Sequence, residues 1–157
     1  MKTILFSTAL ILSALSLQAN ADGKDGHATS KKTPHAAALG APGNAGKVTR
    51  TVTVDMDDSM RFTPENFSTK RGETIKFIVK NSGKLKHEMV LGSITELKKH
   101  AAMMLKFPEM EHDDPNQVAI EPGKTGEFIW QFSKAGTFDF ACLEPGHFEA
   151  GMHGKIS

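Results

Sequence analysis

Cys142, His147 and Met152 stand close together near the C-terminus, in the run Cys142-Leu-Glu-Pro-Gly-His147-Phe-Glu-Ala-Gly-Met152. Pro145, Gly146 and Gly151 favour a tight loop here. One short stretch can therefore present a thiolate, an imidazole and a thioether to a single point. Two imidazoles and a thiolate in a trigonal arrangement, with a weak axial thioether, are the ligands of electron-transfer copper sites. Soft sulfur stabilises Cu(I) and nitrogen tolerates Cu(II), so a compromise geometry lets the charge change with little rearrangement. The second imidazole must come from elsewhere, and His87 is the best candidate. It opens the apolar segment Met89-Val90-Leu91 and lies far enough upstream to sit on a neighbouring strand. A lone histidine in such a place is ordinarily a core or edge residue; the loop motif is what raises it above that.

Cys142 is the only cysteine. In an exported chain an odd cysteine needs a reason: an intermolecular disulfide, an inert buried thiol or a metal ligand. A dinuclear electron-transfer copper site is excluded, because it needs a second cysteine four residues after Cys142, where Gly146 stands.

These groups must be positioned by strands. Val48, Val52, Val54 and Met56 share one parity, with Thr49, Thr51, Thr53 and Asp55 opposite and Arg50 as the misfit. Ile75, Phe77 and Val79 alternate with Thr74, Lys76 and Lys80. Phe128, Trp130 and Phe132 alternate with Glu127 and Gln131. Phe138, Phe140 and Cys142 alternate with Thr137, Asp139 and Ala141, so Cys142 is expected to point inward. Arg71-Gly72, Asn81-Ser82-Gly83, Pro122-Gly123 and Ala135-Gly136 punctuate these runs, and short, regularly spaced strands indicate a β-sandwich. One helix interrupts them. Ser93 and Glu96 form a capping box, and Ile94, Leu97, Ala101 and Met104 follow at helical spacing, ending near Leu105 and before Pro108.

The N-terminus is of another kind. Lys2, an apolar run from Ile4 to Leu17 and Ala19-Asn20-Ala21 read as a signal peptide over residues 1–21, with a mature chain from Asp22. The apolar run is short for a span of about 20 residues. Residues 22–46 are rich in Gly, Ala and Lys without period and read as a flexible tail carrying His27 and His35. A single domain is expected over 47–157. With Lys2 removed from the 19 basic residues, 18 remain against 18 acidic ones. That balance suggests neither nucleic acid nor an anionic membrane as partner.

Further soft or imidazole groups lie in Met103, Met104, Met110 and His112. Met104 falls on the apolar stripe of the helix and is expected in the core. Met103, Met110 and His112, with His27 and His35, are candidates for a weaker second copper site, against the ordinary use of Met as an adaptable core filler. His153 shares a parity with Lys155 and is expected at the surface. Glu144 and Glu149 flank His147 and are expected to shape a partner-facing rim.

At this point the chain resembles the cupredoxins, the superfamily of plastocyanin, azurin and rusticyanin, over residues 47–157. Met60-Arg-Phe62-Thr-Pro64-Glu-Asn-Phe67 and Lys70-Arg-Gly72-Glu-Thr-Ile75 resemble their second and third strands. The Cys-x4-His-x4-Met spacing is similar to that of rusticyanin and auracyanin. His-Glu-Met at 87–89, the acidic His-Asp-Asp at 112–114 and the closing Pro-Gly-His-Phe-Glu-Ala-Gly-Met resemble periplasmic copper-tolerance cupredoxins of the CopI type. The resemblance implies an all-β Greek-key sandwich with one short helix insertion, and one type 1 copper ion held by His87, Cys142, His147 and Met152. It implies a periplasmic, non-enzymatic, monomeric protein of copper tolerance, with a redox or copper-handling protein as partner. A dedicated electron carrier to a respiratory partner such as a cytochrome is the alternative. An enzyme of the nitrite reductase or multicopper oxidase kind needs more domains and His-x-His pairs, which the chain lacks. One position departs from the pattern: azurin-like relatives commonly carry Asn after the first His ligand, bracing the ligand loop, and here it is Glu88.

Overall fold

The computed structural model describes residues 39–110 and 114–157. Ten strands and one helix follow in the order β1 (Gly40–Pro42), β2 (Arg50–Asp57), β3 (Arg61–Thr63), β4 (Asn66–Phe67), β5 (Thr74–Asn81), β6 (His87–Gly92), α1 (Ile94–Met104), β7 (Gln117–Ile120), β8 (Thr125–Phe132), β9 (Phe138–Ala141) and β10 (His153–Ile156). They form two five-stranded sheets, β1-β8-β5-β2-β3 and β4-β10-β9-β6-β7. Both are mixed, because β2 runs parallel to β5 and β4 parallel to β10.

The alternation read in the sequence decides what each sheet turns inward. In the first sheet Val52 lies beside Phe77, Val54 beside Val79 and Ile75 beside Trp130. Val54, Met56, Ile75, Phe77, Val79, Trp130 and Phe132 are all fully buried. They meet Met89, Leu91, Ile120, Phe140 and Ile156 of the second sheet in one core. Phe62 packs edge-on to Phe140 with centroids 4.9 Å apart, a geometry aromatic pairs favour. Arg50, the misfit of β2, lies at the start of the strand, where its guanidinium Nε reaches Glu73 at 3.0 Å.

α1 starts at Ser93 with both halves of the capping box formed and buries Leu97, Ala101 and Met104. It lies over β9 and β6, so the outer face of the second sheet is covered as well. Parity placed Asp139 and Ala141 opposite the core, and they are indeed turned from it, yet both are buried. Ala141 packs with Leu97, Ala101 and Met104 in a second, smaller core. Asp139 Oδ2 accepts the Ile94 N–H at 3.0 Å.

The end of the segment read as tail is built into the fold. Gly40–Pro42 pairs antiparallel with Phe132–Trp130, and Leu39 is buried. Residues 45–47 form a 3₁₀ turn capped by Asn44. A three-residue strand of Gly, Ala and Pro has no period to detect. Gly40 adopts φ +150, and a Cβ there would meet the Gln131 carbonyl oxygen at 1.9 Å. The segment read as a signal peptide, His27, His35 and His112 lie outside the described residues.

Candidate metal centre

β6 and β9 are antiparallel neighbours, with Val90 opposite Ala141 and Leu91 opposite Phe140. The start of β6 and the end of β9 are therefore at the same end of the sheet. His87 opens β6, and Cys142 directly follows β9. β10 returns beside β9 with His153 opposite Ala141, so Met152 arrives next to Cys142. The Cys142 N–H donates to the Met152 carbonyl at 3.0 Å, and the Met152 N–H donates to the His147 carbonyl at 3.0 Å. The loop between β9 and β10 is wound on its own backbone. His147 N–H donates to Glu144, Ala150 N–H to Gly146 and Gly151 N–H to Phe148. Gly146 and Gly151 take φ +86 and +96, the left-handed region that admits glycine without strain.

This backbone gathers three of the four expected ligands. His87 Nδ1 lies 3.2 Å from His147 Nδ1, and Cys142 Sγ lies 3.3 Å from His147 Nδ1. Candidate ligand atoms of all three lie within 4.8 Å of one another. His87, Cys142 and Met152 are fully buried and His147 is part-exposed. Met152 is thus placed beside the cluster through its backbone bonds to both Cys142 and His147. The donor set fits a soft, redox-active metal. Two ring nitrogens facing each other at 3.2 Å can share only one proton, and the two nitrogens with the sulfur are donors that a copper ion would accept. This cluster forms a mononuclear type 1 copper site.

The surroundings tune the donors. Burial pushes the Cys142 thiol up to about 12, with Glu88 and Glu144 adding to the rise and the Glu88 and Glu144 N–H groups opposing it. The Glu88 N–H donates to Sγ at 3.4 Å, a bond that favours thiolate. Burial, then the nearby His87 ring, lowers His147 from its ordinary value, which keeps the imidazole neutral and free to ligate.

Two residues around the site were not assigned roles by sequence. Glu88, the departure from the azurin-like pattern, does brace the loop: its Oε1 accepts the Leu143 N–H at 3.0 Å. Burial first, then repulsion from Glu144, raises its carboxyl to about 7, against the Leu143 bond and Lys86. Asp58, in the turn between β2 and β3, lies 3.2 Å from His87 Nε2. It also accepts the N–H groups of Lys84 and Leu85, and these two bonds, more than His87, hold its carboxyl below its ordinary value. No sequence signal marks Asp58, which reads as one of several acids in a solvated turn.

The other candidates stay apart. Met104 is in the core beneath α1, as expected, whereas Met103 and Met110 are exposed. Among the described residues, no second group of three or more His, Cys, Asp or Glu gathers in this way. His153 is part-exposed and rests against Phe148 with centroids 5.5 Å apart. Glu144 pairs with Lys86 at 3.3 Å on the rim beside His147.

Comparison with known proteins agrees with this geometry. The family model described as copper binding proteins, plastocyanin/azurin family, matches residues 48–157. The copper-resistant cuproprotein CopI of Rubrivivax gelatinosus is 51% identical over 130 residues, covering 83% of this chain and 76% of that protein. CopI of Pseudomonas aeruginosa is 36% identical, covering 78% and 83%. Auracyanin B superposes with a TM-score of 0.62 at 21% identity, over 76% of this chain and 95% of that one. The dithionite-reduced auracyanin of Roseiflexus castenholzii gives 0.57 at 20%, over 70% and 97%. The chain belongs to the plastocyanin/azurin family of copper-binding proteins and is related within it to the CopI copper-resistance proteins.

Proposed function

We propose that this is a periplasmic, redox-active type 1 copper protein of copper tolerance, which takes up copper and passes it, or its electron, to a partner. The observation that carries this reading is the convergence of His87 Nδ1, His147 Nδ1 and Cys142 Sγ at one point, in a chain 51% identical to a copper-resistant cuproprotein. Met152 would be the fourth ligand. Its backbone bonds to Cys142 and His147 and its full burial support that role. When bound, copper supplies reversible one-electron chemistry. His87 and Cys142 would hold it from within the sandwich, and part-exposed His147 would connect it to the surface. A single mononuclear site in a chain of the plastocyanin/azurin family suits a binding and electron-transfer protein.

Residues 1–21 are a signal peptide that directs export, and the segment from Asp22 carries His27 and His35 ahead of the domain. No helix among the described residues is long and apolar enough to cross a membrane. The partner is a redox or copper-handling protein that meets the rim around His147, Leu85 and the Lys86–Glu144 pair, and the protein acts as a monomer. The part exposure of His147 also supports a second reading, a dedicated electron carrier to a respiratory partner such as a cytochrome.

A deletion strain grown in rising copper, with and without oxygen, tests these. Copper sensitivity rescued by the wild type but not by Cys142→Ser is the expected result. Normal tolerance with a respiratory defect would establish the carrier instead.

A further inference from the structure

Among the groups around the metal centre, Asp58 belongs to the other sheet. It sits in the turn after β2, whereas His87, Cys142, His147 and Met152 all belong to the second sheet and its loop. Its carboxylate nevertheless reaches the one ring nitrogen of His87 that faces away from the cluster. Oδ1 lies 3.2 Å from His87 Nε2, and the His87 side chain is fully buried.

The reach is built, not incidental. Oδ1 and Oδ2 accept the Lys84 N–H at 3.0 and 2.8 Å, and Oδ1 accepts the Leu85 N–H at 3.2 Å. These bonds clamp the carboxylate against the segment that leads into β6. That segment is fixed from its other side by Asn81. The Asn81 amide donates to the carbonyls of Leu85 and Ile120 and accepts the Gly83 N–H at 2.9 Å. Gly83 completes the arrangement, because a Cβ there would stand 2.2 Å from Asp58 Oδ1. A glycine is needed at position 83 for the carboxylate to lie where it does.

We propose that Asp58 is a positioning residue for the copper centre: it holds the proton of His87 on Nε2, leaves Nδ1 bare toward the cluster, and biases the site toward Cu(II). The inference rests on the copper reading above. A neutral imidazole carries one proton. An ionised carboxylate can only accept, so the proton sits on the nitrogen facing Asp58. His87 Nδ1 then presents its lone pair to the cluster, and in the metal-free protein the proton between the two facing rings belongs to His147. A carboxylate behind a ligating imidazole fixes its orientation and raises its basicity. The more basic donor and the added negative charge favour the higher charge state of the metal. Asp58 thereby also ties the first sheet to a centre otherwise built by the second.

The test compares wild type with Asp58→Asn, Asp58→Ala and Gly83→Ala. In metal-free wild type, nitrogen-15 NMR of the imidazole rings should show His87 as the Nε2–H tautomer. An Nδ1–H tautomer overturns the inference without any variant. With copper added, Asp58→Asn keeps an acceptor but loses the charge. It should weaken Cu(II) binding about tenfold relative to Cu(I), at the low end of the range for partners of metal-ligating histidines. For a one-electron couple that is a rise in midpoint potential of about 59 mV. Gly83→Ala keeps the charge but displaces the carboxylate, and should shift the potential in the same direction. Asp58→Ala should also populate the second His87 tautomer in the metal-free protein. An unchanged potential in both Asp58→Asn and Gly83→Ala would overturn the inference. If wild type itself shows no thiolate-to-copper absorption, the copper reading has failed, and the inference falls with it; that failure is visible before any variant is measured.

Discussion

Replacing Glu88 separates two effects that one side chain combines. Its Oε1 receives the Leu143 N–H at 3.0 Å and so holds the chain just past Cys142. The same carboxyl is raised from its ordinary 4.5 to about 7, mainly by burial and then by Glu144. The sign follows from linkage. A carboxyl raised on folding imposes no penalty below its unfolded value, a growing one between 4.5 and about 7, and its full penalty above. At about 1.36 kcal/mol per pH unit, that penalty is at most about 3 kcal/mol at pH 8. Glu88→Gln keeps an amide oxygen for Leu143 and removes the charge. In the metal-free protein it should match wild type near pH 4 and exceed it at pH 8 by up to that amount. Glu88→Ala loses the acceptor as well and leaves the Leu143 N–H unpaired. It should fall below Glu88→Gln by about 1–3 kcal/mol at both pH values. Urea unfolding of the three metal-free proteins at pH 4 and 8 measures both differences. A Glu88→Gln advantage that is the same at the two pH values would refute the burial argument. Equal stability of the Gln and Ala variants would refute the brace.

Cys142→Ser should keep the fold, because the smaller oxygen still faces the Glu88 N–H that bonds Sγ at 3.4 Å; it should abolish the intense visible thiolate-to-Cu(II) band, checked by absorption and circular dichroism together. Met152→Leu preserves volume at a fully buried position and should cost less than about 1.5 kcal/mol. It should retain copper and raise the potential, since a weak axial donor to Cu(II) is lost; loss of copper in that variant would show Met152 doing something else. The Cys142 thiol, pushed up to about 12, stays protonated in the metal-free protein across the neutral range and must release its proton to ligate. Apparent Cu(II) affinity in a non-chelating buffer should therefore rise about tenfold per pH unit between pH 7 and 9. A flat profile would mean that the thiolate forms before the metal arrives.

What could be read from sequence is what local pattern encodes. Alternation placed Phe77, Trp130, Phe140 and Cys142 inside, because period 2 maps directly onto the faces of a strand. The Ser93–Glu96 box gave the helix start within one residue, because capping is a contact between near neighbours. The loop motif singled out His147, which the fold brings to Cys142 and His87, because the loop is short and its ends are fixed by neighbouring strands. The rest depended on contacts distant in sequence. Asp139 and Ala141 read as outward, and they face away from the main core, but α1 covers them. β1 pairs with β8, which lies far along the chain, and its Gly40 serves a close approach that no period reveals. Asp58 is 29 residues from His87 and looks like any acid in a turn until the fold brings the two together.

The pattern of fixed contacts bears on how the site works. His87 is held by its strand and by Asp58, Cys142 by its strand and the Glu88 N–H, and His147 by the backbone bonds of its own loop. None of these bonds runs through a metal, so the sandwich itself helps to place the ligands. A site set in this way cannot adapt fully to the preferences of either oxidation state, and the positions of its donors need change little between them. That favours fast electron exchange. A raised thiol and two facing ring nitrogens lie close together in the metal-free protein. Copper uptake replaces that crowding with one cation, so loading should stabilise the fold as well as equip it. The same coupling suits the proposed role, since the folded population would then rise with the copper available.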